Sequence, residues 1–124
     1  MQDDAERLRT AVAYFQSDNH LETLAICRSL FQGPIDVAAA AYQLAGLTLN
    51  ATDRLDEAST QLRRSILIQP TGRAARINLA VVEQRRGRIE YLERQYQLIL
   101  FVDPACADAW HGLSSRSQAA GEID

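Results

Sequence analysis

The sequence repeats a pattern of small and bulky residues at an interval of 34 positions. The clearest copy has Ala45 and Gly46 between two bulky residues, followed by Ala58 and then by Pro70. Residues of similar size or polarity stand at most of the equivalent positions one interval later, which are Arg76, Leu79, Ala80, Glu83, Ile89, Leu92, Tyr96 and Pro104. A constant interval of this length is typical of stacked units, because each unit leaves an apolar face that only the next unit covers. The sequence therefore predicts an array of helix pairs.

The spacing inside the unit resembles the tetratricopeptide repeat, a helix-turn-helix unit of 34 residues. The residues that carry the resemblance are Tyr42, Ala45, Gly46, Leu49, Leu55, Ala58, Leu62 and Pro70. The resemblance extends over nearly the whole chain and implies an all-α fold, a right-handed α-α superhelix of stacked antiparallel helix pairs. It also implies that the first helix of each pair lines a concave groove. An ordinary helical bundle with accidental self-similarity is the alternative.

On this register the chain is one domain without insertions. It spans 1–124, with repeats at about 5–38, 39–72 and 73–106 and a C-terminal capping helix at 107–120. The cap is expected because arrays need an end helix with a wettable outer face, and it predicts a monomer. A truncated fourth repeat, whose second helix would start at Gly121-Glu122-Ile123, is the alternative and predicts an end-to-end dimer.

The same register predicts which helix faces are buried. The buried stripe of the first helix is expected at Leu8, Ala11, Val12 and Phe15, and the next helix has Leu21, Leu24 and Arg28 where the second unit has Leu55, Ala58 and Leu62. Asp36 and Thr71 are expected to cap the N-termini of the helices that follow them. Gly46 is expected to let the two helices of its unit touch closely.

Composition and motif content exclude several classes of protein. The chain is 47% hydrophobic and 23% charged, which is typical of a globular protein, and no apolar run approaches the length of a membrane span. No secretion leader is recognised, so a cytoplasmic location is expected. Cys27 and Cys106 are expected to be buried and unpaired in a reducing compartment. His20 and His111 lack metal-ligand spacing, and no catalytic set or phosphate loop is found, so neither enzymatic activity nor a metal or cofactor is expected.

The predicted partner-binding surface lies on the first helices, opposite their buried stripes. It consists of Arg9, Gln43, Leu47, Asn50, Ile77, Asn78, Val81, Gln84 and Arg85. The apolar members can take side chains of a peptide, and the amides can bond its backbone. The alternative is that some of them, Leu44 and Leu47 above all, pack against a neighbouring helix.

Charge is divided along the chain. Residues 63–94 hold eight arginines and three acids, whereas residues 1–62 hold four arginines and nine acids. This division predicts a partner with an acidic segment, and local pairing of the arginines is the alternative. Arg76 and Glu83 stand at positions that are usually apolar, and they are predicted to bridge to each other or to neighbouring helices. Nucleic acid is not expected as a partner, because the net charge is −3 and aromatic residues do not alternate with the arginines.

The sequence therefore predicts a scaffold of a bacterial-type protein that binds a peptide or protein segment in its groove. The family's clamp for chaperone tails, built from lysine, asparagine and arginine, is not reproduced. Its positions hold Ala13, Leu44 and Ala74, and only Arg9 and Asn78 fit the chemistry. An N-terminal adaptor module of a larger transferase-type enzyme and a small secretion-type chaperone are the alternative functions.

Overall fold

The computed structural model describes residues 3–87 and 89–106, and all the regular secondary structure in that part is helical. The helices are α1 (Asp4–Gln16), α2 (His20–Leu30), α3 (Ile35–Ala51), α4 (Leu55–Ile68), α5 (Arg73–Arg85) and α6 (Ile89–Val102). Each helix packs against the next one along the chain, and α3 also contacts α1 and α5. The fold is an α-α solenoid, and the prediction of an all-α array is confirmed. The capping helix expected at 107–120 lies outside the described residues.

The start of α1 is capped by Asp3, and the starts of α3 and α5 differ from the expected caps. The Asp3 carboxylate accepts a hydrogen bond from the Glu6 backbone N–H at 2.8 Å, which satisfies one of the free donors of α1. Helix α3 begins directly after Pro34, so Asp36 lies in its first turn instead of capping it. A carboxylate there still suits the positive end of the helix dipole. Gly72, not Thr71, is the residue that precedes α5.

Burial shows that α2 is offset from its expected register by one position. Thr23 and Cys27 are fully buried, as are Ala58 and Leu62, which follow them at an interval of 35. Leu21, by contrast, is 81% exposed. The offset arises because α3 ends at Ala51, 35 positions after the last residue of α1. The expectation of an unbroken interval of 34 is therefore wrong for this helix: Leu24 is buried as expected, whereas Leu21 and Arg28 are exposed.

The core lies between the helix layers and forms two clusters. The main cluster joins buried residues of α1 through α5, and a second one contains Ala80, Ile99 and Cys106. Within the main cluster α3 and α4 come very close at Gly46, where an added Cβ would lie 2.5 Å from Leu62 Cγ. The expected packing role of Gly46 is confirmed.

Candidate peptide-binding groove

Helices α1, α3 and α5, the first helices of successive pairs, form a surface that we call the groove. Between α1 and α3 it contains a pocket of about 380 Å³, which we call the first pocket. The lining residues are Leu8, Val12, Phe15, Gln16, Ala40, Gln43, Leu44 and Leu47. Most of them are apolar and none is charged, so the first pocket suits a large apolar side chain.

A second, smaller pocket of about 70 Å³ lies between α3 and α5. Its lining residues are Gly46, Leu47, Asn50, Leu62, Asn78, Val81 and Val82. Two amides, Asn50 and Asn78, therefore stand beside an apolar floor. Leu47 lines both pockets and forms the wall between them.

The structure brings together five of the nine residues predicted for partner binding. The pockets contain Gln43, Leu47, Asn50, Asn78 and Val81. Arg9 and Gln84 are exposed on α1 and α5 and line neither pocket, and Arg85 reaches Asn50 through hydrogen bonds. Ile77 lines neither pocket; it is partly buried and packs against the second core cluster.

Leu44 packs against neighbouring helices, as the alternative prediction has it, whereas Leu47 keeps part of its surface open. Leu44 is only 7% exposed and belongs to the main core cluster. Leu47 is half-buried and has its place in the pocket walls. A leucine that keeps part of its surface open in a pocket can contact a ligand there.

Sequence reasoning missed the contribution of α1 to the groove. Leu8, Val12 and Phe15 were expected in its buried stripe, yet all three line the first pocket, and Val12 is 37% exposed. The apolar stripe of α1 is wide enough to serve the core and the groove at once, and periodicity cannot separate the two uses. Gln16 could have been found, because it stands 34 positions before Asn50.

Arg85 connects the groove to the turn after α3. Its Nη1 donates to the backbone oxygen of Asn50 at 2.7 Å and to Asn50 Oδ1 at 2.5 Å, and its Nη2 donates to the Asp53 carboxylate. Because a guanidinium can only donate, the amide oxygen of Asn50 has to face it and the NH₂ group has to point away. The NH₂ group of Asn50 is therefore left to donate a hydrogen bond to a ligand oxygen.

Most arginines of the basic stretch that the structure describes are engaged with acids or carbonyls. Glu83 is fully buried, with Arg86 at 2.8 Å and Arg63 of α4 at 3.9 Å. Arg73 pairs with Asp103 at 2.7 Å. Arg76 donates to the carbonyl of Pro70. The predicted bridge from Glu83 to a neighbouring helix is confirmed, since Arg63 belongs to α4. Local pairing, the alternative to free arginines, thus holds for much of the stretch.

The surroundings of Cys27 keep its thiol protonated. Cys27 is buried and unpaired, and burial raises the pKa of its thiol from 9.0 to about 12. A thiol that stays protonated at neutral pH is a poor nucleophile and metal ligand. Within residues 3–87 and 89–106, no group of three metal-ligating side chains is close enough to hold an ion. None of the helices described there is long and apolar enough to cross a membrane.

Comparison with solved structures finds the same helical arrangement in several proteins. The crystal structure of MamA superposes with a TM-score of 0.84 at 16% identity, covering 96% of this chain and 69% of that one. The first TPR domain of Spaghetti (RPAP3), bound to the HSP90 peptide SRMEEVD, gives 0.84 at 13% identity, covering 95% and 93%. The TPR domain of Arabidopsis OM64 gives 0.81 at 9% identity, covering 94% and 95%.

An enzyme also contains this arrangement in part of its chain. The O-GlcNAc transferase of Thermobaculum terrenum matches with a TM-score of 0.73 at 24% identity, over 91% of this chain and 22% of that protein. At these identities the likeness concerns the fold alone. No protein-family model matches the sequence, and a search of the curated proteins finds no match.

Proposed function

Because the chain has the tetratricopeptide-repeat fold, we propose that it is a protein-interaction scaffold that binds a peptide or protein segment in the groove and carries out no catalysis of its own. The observation that carries this proposal is the pair of pockets separated by Leu47, on helices that the fold leaves open on one side. A cytoplasmic location belongs to the same proposal, supported by the free thiols of Cys27 and Cys106.

The pockets define the kind of segment that fits. The first pocket would take a bulky apolar side chain and the second, at about 70 Å³, a small one. Pockets on either side of one helix are separated by roughly a helix-to-helix distance of 8–10 Å. In a polyproline-type extended peptide, residues three apart lie on the same side and about 9 Å from each other. The proposed ligand is therefore extended, with a bulky apolar residue three positions from a small one.

The polar groups beside the second pocket support an extended backbone as well. An extended peptide leaves its carbonyl groups unbonded, and the Asn50 NH₂ group is oriented to donate to one of them. Neither pocket has an acid among its lining residues, and Arg85 bonds one of those residues. A segment with an acidic residue next to its apolar ones has charge complementary to this surface.

The experiment that tests the proposal uses a random linear peptide library displayed on phage and selected on the full chain. Leu47→Glu should abolish binding of the selected peptides, because it puts a charge in the wall of both pockets, and Val81→Glu should weaken it. Both variants should keep their circular dichroism, since a half-buried or exposed side chain can turn its charge to water. Leu67→Glu is the matched control: Leu67 is 78% exposed on α4 and lines neither pocket.

Two results would contradict the proposal. If no peptide is enriched, or if the enriched peptides bind Leu47→Glu as well as the wild type, the groove is not the binding surface. If Leu47→Glu and Val81→Glu both unfold the chain while Leu67→Glu does not, these residues belong to the core and the groove assignment is wrong.

A further inference from the structure

We propose that Arg85 receives a carboxylate of the bound peptide, and that Asp53 occupies this position in the free protein as an internal competitor. The inference rests on the proposed function and adds a regulatory contact to the same groove. It starts from the hydrogen bonds of Arg85, two of which go to the half-buried Asn50 and one to the exposed Asp53.

The anchor is Asn50, near the end of α3. Both of its oxygens accept from Nη1 of Arg85, at 2.7 Å and 2.5 Å. These bonds hold the guanidinium beside the second pocket, which Asn50 lines, without any help from an acid. A guanidinium has about five N–H donors, and three are used by Asn50 and Asp53. Two donors therefore remain for an incoming oxygen.

The contact with Asp53 has the properties of an exchangeable one. The Asp53 side chain is 78% exposed and the Arg85 side chain 39% exposed. Ion pairs that water can reach contribute little, because water and salt compete for both partners. A peptide carboxylate held nearby by the two pockets would compete at a high local concentration. The ion pair between Asp53 and Arg85 is thus weak enough for a peptide carboxylate to displace it, and Asp53 can form it again when the peptide dissociates.

The turn that carries Asp53 does not depend on the ion pair. Asp53 has a φ of 63°, and the turn is closed by hydrogen bonds from the Asp53 N–H to the Asn50 oxygen at 3.2 Å and from the Arg54 N–H to the Leu49 oxygen at 2.9 Å. Asparagine tolerates this left-handed conformation well. Asp53→Asn therefore removes the competing charge and leaves the turn in place.

Two other arginines of the basic stretch are less suited to this role. Arg86 is mostly buried and pairs with Glu83 and with Asp56 at 3.1 Å, and drawing it toward a ligand would leave Glu83 buried with weaker compensation. Arg73 pairs with Asp103, which lines neither pocket. Arg85, by contrast, is bonded to Asn50, which lines the second pocket.

The experiment measures the affinity of peptides selected from the random phage library on the wild-type chain. Asp53→Asn should bind acidic peptides about two- to fivefold more tightly, because the internal competitor is gone. Arg85→Gln should bind them about tenfold more weakly, and peptides selected on it should lose their preference for Asp and Glu while they keep their apolar residues. Asp103→Asn and Arg73→Gln make the same charge changes at an ion pair outside the pockets. They should change neither the affinity for acidic peptides nor the preference for Asp and Glu.

Opposite results separate the inference from the proposed function. If Asp53→Asn binds no more tightly than Asp103→Asn, Asp53 is not a competitor. If Arg85→Gln selects acidic peptides as often as the wild type, Arg85 is not their receptor. Either result overturns the inference and leaves the groove standing as long as Leu47→Glu abolishes binding. A library without enriched peptides overturns both.

A second variant, Arg85→Lys, tests the inference if Arg85→Gln does not fold. Arg85→Lys keeps the positive charge at the groove and gives up the fixed fork of donors. Its affinity for acidic peptides should lie between those of the wild type and Arg85→Gln. If a folded Arg85→Lys variant binds acidic peptides as tightly as the Arg73→Gln control does, and its affinity does not change when Asp53→Asn is added, the inference is overturned.

Discussion

Glu83 shows how one residue can depart from the repeat and still be accommodated. It stands on α5 where α3 has Leu49, and both positions are buried. A carboxylate in such a place needs charged partners, and Arg86, which follows α5, and Arg63 of α4 supply them at 2.8 Å and 3.9 Å. The repeat position thus tolerates a charge because two long side chains reach inward to it.

We expect Glu83→Leu to leave the free energy of unfolding unchanged or to raise it by about 1–4 kcal/mol, because an apolar residue there avoids the desolvation of a buried ion pair. Arg86→Ala should lower it by about 3 kcal/mol, since it leaves Glu83 buried with weaker compensation. Urea denaturation followed by circular dichroism measures both.

The surface pair Arg54 and Glu57, 2.6 Å apart, provides the control for this comparison. Both side chains are about half exposed, so Arg54→Ala should change stability by less than about 1 kcal/mol. If Glu83→Leu proves as destabilising as Arg86→Ala, the carboxylate is a net stabilising group and the argument from desolvation fails.

At the scale of elements, the contact between α3 and α4 depends on one missing side chain. A Cβ at position 46 would lie 2.5 Å from Leu62 Cγ and 2.8 Å from its Cδ2. Leu62 is itself fully buried, so it has little space into which it could move. The two helices can stay at this separation only while position 46 is glycine.

Gly46→Ala should therefore destabilise the chain by about 1–3 kcal/mol through overpacking, although alanine gains up to about 1 kcal/mol in helix propensity. The double-mutant cycle with Leu62→Ala, measured by urea denaturation, tests the cause. In the Leu62→Ala background the penalty should disappear, because the clashing methyl groups are gone. A penalty of equal size in both backgrounds would place the strain elsewhere.

The interval of 34 was sufficient to predict the helices and insufficient to predict the face of α2. Leu21 and Leu55 look equivalent as residues, yet Leu21 is 81% exposed, whereas Thr23 and Cys27 are fully buried. An extra residue at the end of α3 shifts the register, and sequence similarity between apolar residues does not reveal it. Only the burial pattern does.

The part of the candidate groove on α3 and α5 could be predicted from the sequence, and the apolar part on α1 could not. The faces of α3 and α5 were found because apolar and amide residues recur at helical spacing opposite the buried stripes, as Gln43, Leu47 and Asn50 do. On α1 the apolar stripe is broad, so Val12 and Phe15 were assigned to the core alone. The bond between Arg85 and Asn50 could not be predicted, because it joins residues 35 positions apart through side-chain conformation.

At the scale of the whole molecule, the two core clusters divide the described chain. The main cluster spans α1 to α5, while Ile99 is buried with Ala80 and Cys106 at the α5–α6 end. In a solenoid each unit is stabilised only by its neighbours, so opening at one end need not disturb the other.

We therefore expect Ile99→Ala to accelerate amide hydrogen exchange in α6 and the adjoining part of α5, and to leave α1 to α3 near wild type. Leu62→Ala, which removes a fully buried leucine from the main cluster, should accelerate exchange throughout α1 to α5. Each deletion removes about 2–5 kcal/mol from its own cluster. Uniform acceleration by Ile99→Ala would show that the chain unfolds as a single cooperative unit.

The wall that Leu47 forms between the two pockets makes their preferences interdependent. A change that widens one pocket by moving or shortening this side chain alters the other in the same step. Ligand residues that enter the two pockets should therefore show non-additive effects on affinity when they are exchanged together. In the proposed binding mode, a substitution at Leu47 therefore changes the preferences for the bulky and the small ligand residue together, whereas a substitution at Val12 or Phe15 can change the first preference alone.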